Sequence, residues 1–141
     1  MFNRNLEMIY DRKIKVIPEG KIKMRRVNPI VFTYYTSQVF AGFGILECVA
    51  CILLCTVLRI WNRIYVFEVG DDVVGTVMVS PKGYISNFGI TQYERGKGYA
   101  KPALQLTLTK IKSPTATLSV NKKNLTAIEL YKKAGFRFKQ K

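Results

Sequence analysis

Residues 90–101 read Ile90-Thr-Gln-Tyr-Glu-Arg-Gly-Lys-Gly-Tyr-Ala-Lys101. The segment leaves a strand and opens a helix. Downstream, Ala100, Leu104, Leu108 and Ile111 recur four, four and three apart and share one helical face. Gly96 and Gly98 let backbone N–H groups converge with no side chain in the way. The start of a helix adds positive potential, so the turn is shaped to cradle a pyrophosphate. Arg95, Lys97 and Lys101 add charge around it.

Upstream of this turn, Arg63–Val69 and Val73–Val79 read as strands joined at Gly70-Asp71-Asp72. Pro81-Lys82-Gly83 turns into a third, Tyr84 to Ile90. Connections this tight make an antiparallel meander. Beyond the turn, Ser113-Pro114 stops the helix, and Ala116, Leu118 and Val120 alternate as in a strand. Asn124 can cap a second helix with Ala127, Leu130, Tyr131 and Ala134 on its apolar face. Lys132 and Lys133 occupy its last turn, and Gly135 stands where a left-handed closing residue belongs. Pro102 is tolerated in a first helical turn, which either places the helix start near Ala100 or distorts that start. The pattern predicts an α/β domain with a mixed sheet.

The N-terminal sixty residues carry no chemical motif. Met8–Ile17 reads as a strand ended by Pro18-Glu19-Gly20. Val39–Leu58 is twenty residues with one charge, Glu47, which is long enough to span a bilayer. Two readings stay open for it: core helices packed on the sheet, or a membrane-associated segment. Cys48, Cys51 and Cys55 fall on one helical face. Three thiolates without a fourth ligand make an incomplete metal site, so they read as small core residues and no metal is expected.

The 141 residues suit a single domain, 1–141, with an apolar share of 48% that builds a core. Lysine and arginine number 23 against 9 acids, a formal charge of +14 that favours anionic partners. There is no histidine, which excludes serine–histidine and cysteine–histidine catalysis. Three closely spaced cysteines are no disulfide framework, and the first thirty residues lack a signal-peptide core. A cytoplasmic protein is the expectation.

Arg95-Gly-Lys-Gly-Tyr-Ala100 resembles the acyl-CoA signature of the GNAT family of N-acetyltransferases: Gln or Arg, two residues, Gly, one residue, then Gly or Ala. Val120-Asn-Lys-Lys-Asn-Leu-Thr-Ala-Ile-Glu-Leu-Tyr-Lys-Lys-Ala-Gly-Phe136 is similar to the family's second signature, and the resemblance covers about residues 63–138. It implies a GNAT-like mixed, mostly antiparallel sheet flanked by helices. The family normally adds two strands after Phe136, and only one short strand fits here. The last strand is therefore expected to be lacking, leaving a sheet edge that is open or completed by a second copy.

The resemblance also implies a reaction and a site. Acetyl-CoA would be the acyl donor and a primary amine the acceptor. The backbone of Ile90 would bond the pantetheine and polarise the thioester. N–H groups of Gly96, Lys97, Gly98, Tyr99 and Ala100, with Arg95 beside them, would take the pyrophosphate. Asn124 would hold the pantetheine arm or cap its helix, and Tyr131 would protonate the leaving thiolate. Many relatives hold a glutamate as base on the strand ending at Ile90. This strand offers Ser86 and Asn87, so Glu94 in the loop, or water, is the candidate. A charge of +14 favours an amine displayed on nucleic acid or an acidic protein. The rival readings are a nucleic-acid-binding module or a membrane-associated protein that keeps the fold without catalysis.

Overall fold

Residues 5–11, 21–40, 44–57 and 63–139 are described by a computed structural model. In chain order they form β1 (Asn5–Asp11), β2 (Ile22–Arg26), α1 (Pro29–Val39), α2 (Ile45–Val57), β3 (Arg63–Val69), β4 (Asp72–Val79), β5 (Tyr84–Ile90), α3 (Ala100–Lys110), β6 (Thr115–Asn121), α4 (Leu125–Lys133) and β7 (Arg137–Phe138). The strands make one sheet in the order β2-β3-β4-β5-β6-β1-β7. Every pairing is antiparallel except β5 with β6.

The meander forms where the turn chemistry placed it. Gly70 has φ +62° between β3 and β4, and Gly83 has φ +85° before β5, a conformation that favours residues without a Cβ. Alternation along β3 then sorts side chains to two faces. Tyr65 and Phe67 join the main core with Val77, Leu104, Leu108, Leu118, Tyr131 and Phe136. Ile64 and Met78, paired across β3 and β4, form a smaller cluster on Phe32 of α1 and Cys55 of α2. The smaller cluster is what seats α1 on the sheet.

Among the described residues β7 alone follows α4. The sheet edge beside β6 is nevertheless not open. Strand β1 runs antiparallel to β6 through seven residue pairs, Asn5↔Asn121 to Asp11↔Thr115, and pairs with β7 at Met8↔Phe138 and Ile9↔Arg137. Burial explains the choice: Met8 and Tyr10 are buried against the main core, and Tyr10 stacks on Phe136 with ring centroids 5.3 Å apart. The N-terminal strand covers the edge that was expected to be open or shared with a second copy. The part of the predicted strand beyond Asp11, with Pro18-Glu19-Gly20, lies outside the described residues.

The apolar stretch 39–58 does not form one long helix. Asn28 starts α1, its side chain accepting from Val31 N–H at 2.9 Å with Pro29 in the first turn. That helix ends at Val39, and α2 begins at Ile45. Thirteen residues of α2 rise about 20 Å, short of a roughly 30 Å hydrocarbon layer. Among the described residues no helix is long and apolar enough to cross a membrane. Nor is α2 a core helix, because Cys55 is its one buried residue. Thr33 of α1 donates to Cys51 Sγ at 3.4 Å, and the Cys51 and Cys55 sulfurs lie 3.9 Å apart. The cysteine face is thus the side of α2 turned to α1, and no group able to hold a metal occurs among the described residues.

Candidate active site

The start of β5 pairs with the middle of β6, Tyr84 with Thr117 and Ile85 with Leu118. Beyond those pairs they splay. A cleft of about 540 Å³ opens in the gap, lined by Val39, Phe88, Ile90, Glu94, Asn124 and Tyr131 among others. A bulge in β5 aims its end. Pairing jumps from Met78↔Ser86 to Thr76↔Gly89, Asn87 takes φ +52°, and Thr76 Oγ1 donates to the Asn87 carbonyl at 3.1 Å. Asparagine is among the few residues that visit this conformation readily. Pairing of β4 with β5 resumes beyond the bulge, ending at Gly75↔Ile90.

That pair decides where the Ile90 backbone points. Thr91 N–H donates to the Val74 carbonyl at 2.8 Å, which makes Gly75↔Ile90 a non-hydrogen-bonded pair. The Ile90 N–H and C=O therefore face away from β4 into the splayed gap. Arg95 Nε occupies the carbonyl at 3.2 Å, and no described residue engages the N–H. The same guanidinium donates to the Val39 carbonyl at 2.6 Å, at the negative end of α1. Arg95 is accordingly a brace between α1 and β5. The family signature puts the same residue beside the pyrophosphate. The contact with Val39 spans 56 positions and leaves no local signal. A Cβ on Gly89 would lie 2.2 Å from Val39 Cγ1, so α1 presses directly on this strand.

At the mouth of the cleft, Gly96 and Gly98 both hold φ +81°, and a Cβ on either would meet nothing within 4 Å. Tyr99, at the N-cap of α3, makes no side-chain capping bond. The N–H groups of Gly96, Gly98, Tyr99 and Ala100 take no partner among the described residues. Pro102 sits in the first turn, where its missing N–H costs α3 nothing. Open space over a row of unpaired donors at a helix start fits a pyrophosphate. Lys97 projects beside this turn and pairs with Glu94 at 2.8 Å, a contact that raises the Lys97 pKa first by hydrogen bonding and then by charge. The carboxylate of Glu94 lines the cleft already engaged.

The far wall is α4. Asn124 caps it, its side-chain oxygen accepting from Ala127 N–H at 3.2 Å. The buried face holds Ile128 and Tyr131, with Ala127, Leu130 and Ala134 partly buried beside them. Tyr131 packs between Phe88, 6.3 Å away, and Phe136, 5.8 Å away. Burial pushes its phenol up to about 12, and its hydroxyl takes no hydrogen bond from a described residue. A donor held neutral at every physiological pH thus stands in the cleft without a partner among the described residues.

Residues 47–136 match the model of the acetyltransferase (GNAT) family. No curated protein is similar enough in sequence to match. Among solved structures, a GCN5-related N-acetyltransferase of Sphaerobacter thermophilus is 22% identical with a TM-score of 0.73, over 96% of this chain and 48% of that one. A protein of Clostridium acetobutylicum, described as a predicted acetyltransferase with acetyl-CoA, is 15% identical with a TM-score of 0.63, over 85% and 92%. AAC(6')-Iy, solved with the bisubstrate analogue CoA-S-monomethyl-acetylneamine, is 10% identical with a TM-score of 0.62, over 86% and 95%. At these identities the likeness is one of fold. This chain spans about half the length of several solved relatives, as the Sphaerobacter comparison shows.

Proposed function

This chain belongs to the acetyltransferase (GNAT) family, and on that premise we propose that it transfers an acetyl group from acetyl-CoA to a primary amine. The observation that carries the reading is the start of α3, whose N–H groups no described residue takes, opening on the same cleft as the Tyr131 hydroxyl, which no described residue bonds.

Acetyl-CoA supplies the thioester. The donors from Gly96 to Ala100 suit its pyrophosphate, and the Ile90 N–H, which no described residue engages, is a backbone donor in the gap where the pantetheine arm would lie. Asn124 has its oxygen committed to the α4 cap and its amide N–H groups left to donate. In the transfer the amine nitrogen bonds to the thioester carbon, the carbon–sulfur bond breaks, and sulfur takes a proton. Tyr131 offers that proton. With a pKa of about 12 it is a weaker acid than a thiol of about 8.5, so it acts first as a hydrogen-bond donor to the developing charge. Proton transfer is completed as far as the apolar cleft also raises the thiolate's proton affinity.

The attacking amine must be neutral, and a lysine-like amine has a pKa of about 10.4 in water. Glu94 lines the cleft but is held by Lys97, so we assign deprotonation to water, with Glu94 as the nearby acceptor. The formal charge of +14 disfavours free polyamines, and supports an acceptor amine carried on an anionic macromolecule such as nucleic acid or an acidic protein.

Titration calorimetry of the whole chain with acetyl-CoA and CoA tests the reading, followed by an acetyl-transfer screen over nucleic acids, proteins and small amines. Binding together with transfer to an anionic carrier is the expected result. Absence of any CoA binding overturns the enzyme reading. Turnover confined to small cations overturns the acceptor class alone.

A further inference from the structure

Helix α2 turns its cysteines inward and its aliphatic side outward. Opposite Cys48, Cys51 and Cys55 lie Leu46, Ala50, Leu53 and Val57, spaced four, three and four apart, the rhythm of a helix–helix seam. Leu46 is 82% exposed, Val57 71% and Leu53 61%, with Ile45 at 84% and Leu54 beside them. The side chains on this side, Leu46, Leu53, Leu54 and Val57, expose about 500 Å², the scale of the largest patch on a typical monomer, about 300–600 Å². That is more than half of the roughly 800 Å² that each partner gives to a stable interface.

Charge distinguishes this face from the rest of the molecule. The chain carries 23 Lys and Arg, yet residues 27–58 contain none. Glu47 is the one acid in that window. Its carboxylate turns back toward the start of α2, where a Cβ on Gly44 would lie 2.8 Å from its Oε2, so it leaves the seam clear. A chain at +14 repels a copy of itself over most of its surface. Screening beyond about 8 Å at physiological salt lets two such chains meet where no cation stands.

We propose that α2 is a self-association surface, with a second copy packing its α2 antiparallel on this one about a two-fold axis. A two-fold contact uses the same patch on both copies, and a seam of Leu46, Ala50, Leu53 and Val57 is complementary to itself. A lipid surface is the weaker match, because helices that lie in a membrane interface carry Lys and Arg beside the apolar face, and this window has none.

Sedimentation equilibrium of the full chain tests it. The wild type should pass from monomer to dimer with rising concentration, and added salt should strengthen the dimer. Leu53→Glu sets two carboxylates near the axis and should weaken association roughly tenfold or more. Its side chain is exposed, so circular dichroism should be unchanged. As a second variant, Ala50→Cys should give a covalent dimer under mild oxidant, which the inward-facing native cysteines do not. A wild type that stays monomeric at its highest soluble concentration overturns the proposal. So does a Leu53→Glu variant that dimerises normally, or a monomer that binds anionic phospholipid vesicles through Leu53.

Discussion

Tyr131→Phe removes one oxygen from the middle of the cleft and leaves the ring. The ring contacts with Phe88 and Phe136 persist, and the lost hydroxyl leaves no described residue without a partner. The variant should therefore match the wild type in stability to within about 0.5 kcal/mol at neutral pH, and bind acetyl-CoA with similar affinity. If the phenol meets the departing sulfur, kcat should fall by about a hundredfold to ten-thousandfold, or roughly 3–5 kcal/mol of transition-state stabilisation. Steady-state kinetics at saturating acetyl-CoA, alongside thermal unfolding, measures both. The expected signature is a lost kcat with Tm and cofactor affinity retained. A variant keeping more than about a third of wild-type kcat refutes the catalytic role, and returns Tyr131 to the core.

Alkaline pH should destabilise the fold through the same residue. Its folded pKa is raised from 10.0 to about 12 by burial, so between those values the unfolded phenol ionises while the folded one does not. The contribution is fully present below pH 10 and lost as pH rises through 12, about 2–3 kcal/mol; Cys55, raised from 9.0 to about 12, acts in the same direction. Denaturant midpoints across this window should fall less steeply in Tyr131→Phe. Gly98→Val should lower Tm, since a left-handed side chain costs about 1–2 kcal/mol, and should abolish the acetyl-CoA-induced shift. Gly70→Val, equally left-handed at φ +62° but in the β3–β4 turn, should lower Tm and keep that shift. Loss of the shift in both variants would remove the cradle from the argument. Met8→Ala should cost about 2–5 kcal/mol in chemical denaturation, because Met8 is buried inside the sheet. A neutral result there would place β1 elsewhere.

What the sequence determined by itself lies where the interactions are local. The turns at Gly70 and Gly83, the cap at Asn124, the start of α3 at Ala100 and the two-glycine turn before it depend on dihedrals and bonds within a few residues. Spacing alone therefore carries them. The helical faces were legible to about one position. On α4, Ile128 and Tyr131 take the deepest places, with Ala127 and Leu130 at the margin. On α3, Ala103 and Thr107 join Leu104 and Leu108. Pattern reading favours apolar letters, so it passed over Thr107, whose hydroxyl is satisfied by the Ala103 carbonyl one turn back.

Tertiary structure decided the rest. Strand β1 could pair with any open edge, and its place between β6 and β7 follows from burying Met8 and Tyr10 in the main core, with Tyr10 against Phe136. In sequence Arg95 belongs to the two-glycine turn and its signature. Its brace to Val39 exists because α1, 56 positions earlier, ends against Gly89. The stretch 39–58 reads as uniformly apolar, and hydropathy cannot say which side of a helix meets protein. Packing on α1 selected the cysteine face, since small side chains let the two helices approach, and the larger Leu46, Leu53 and Val57 were left facing outward.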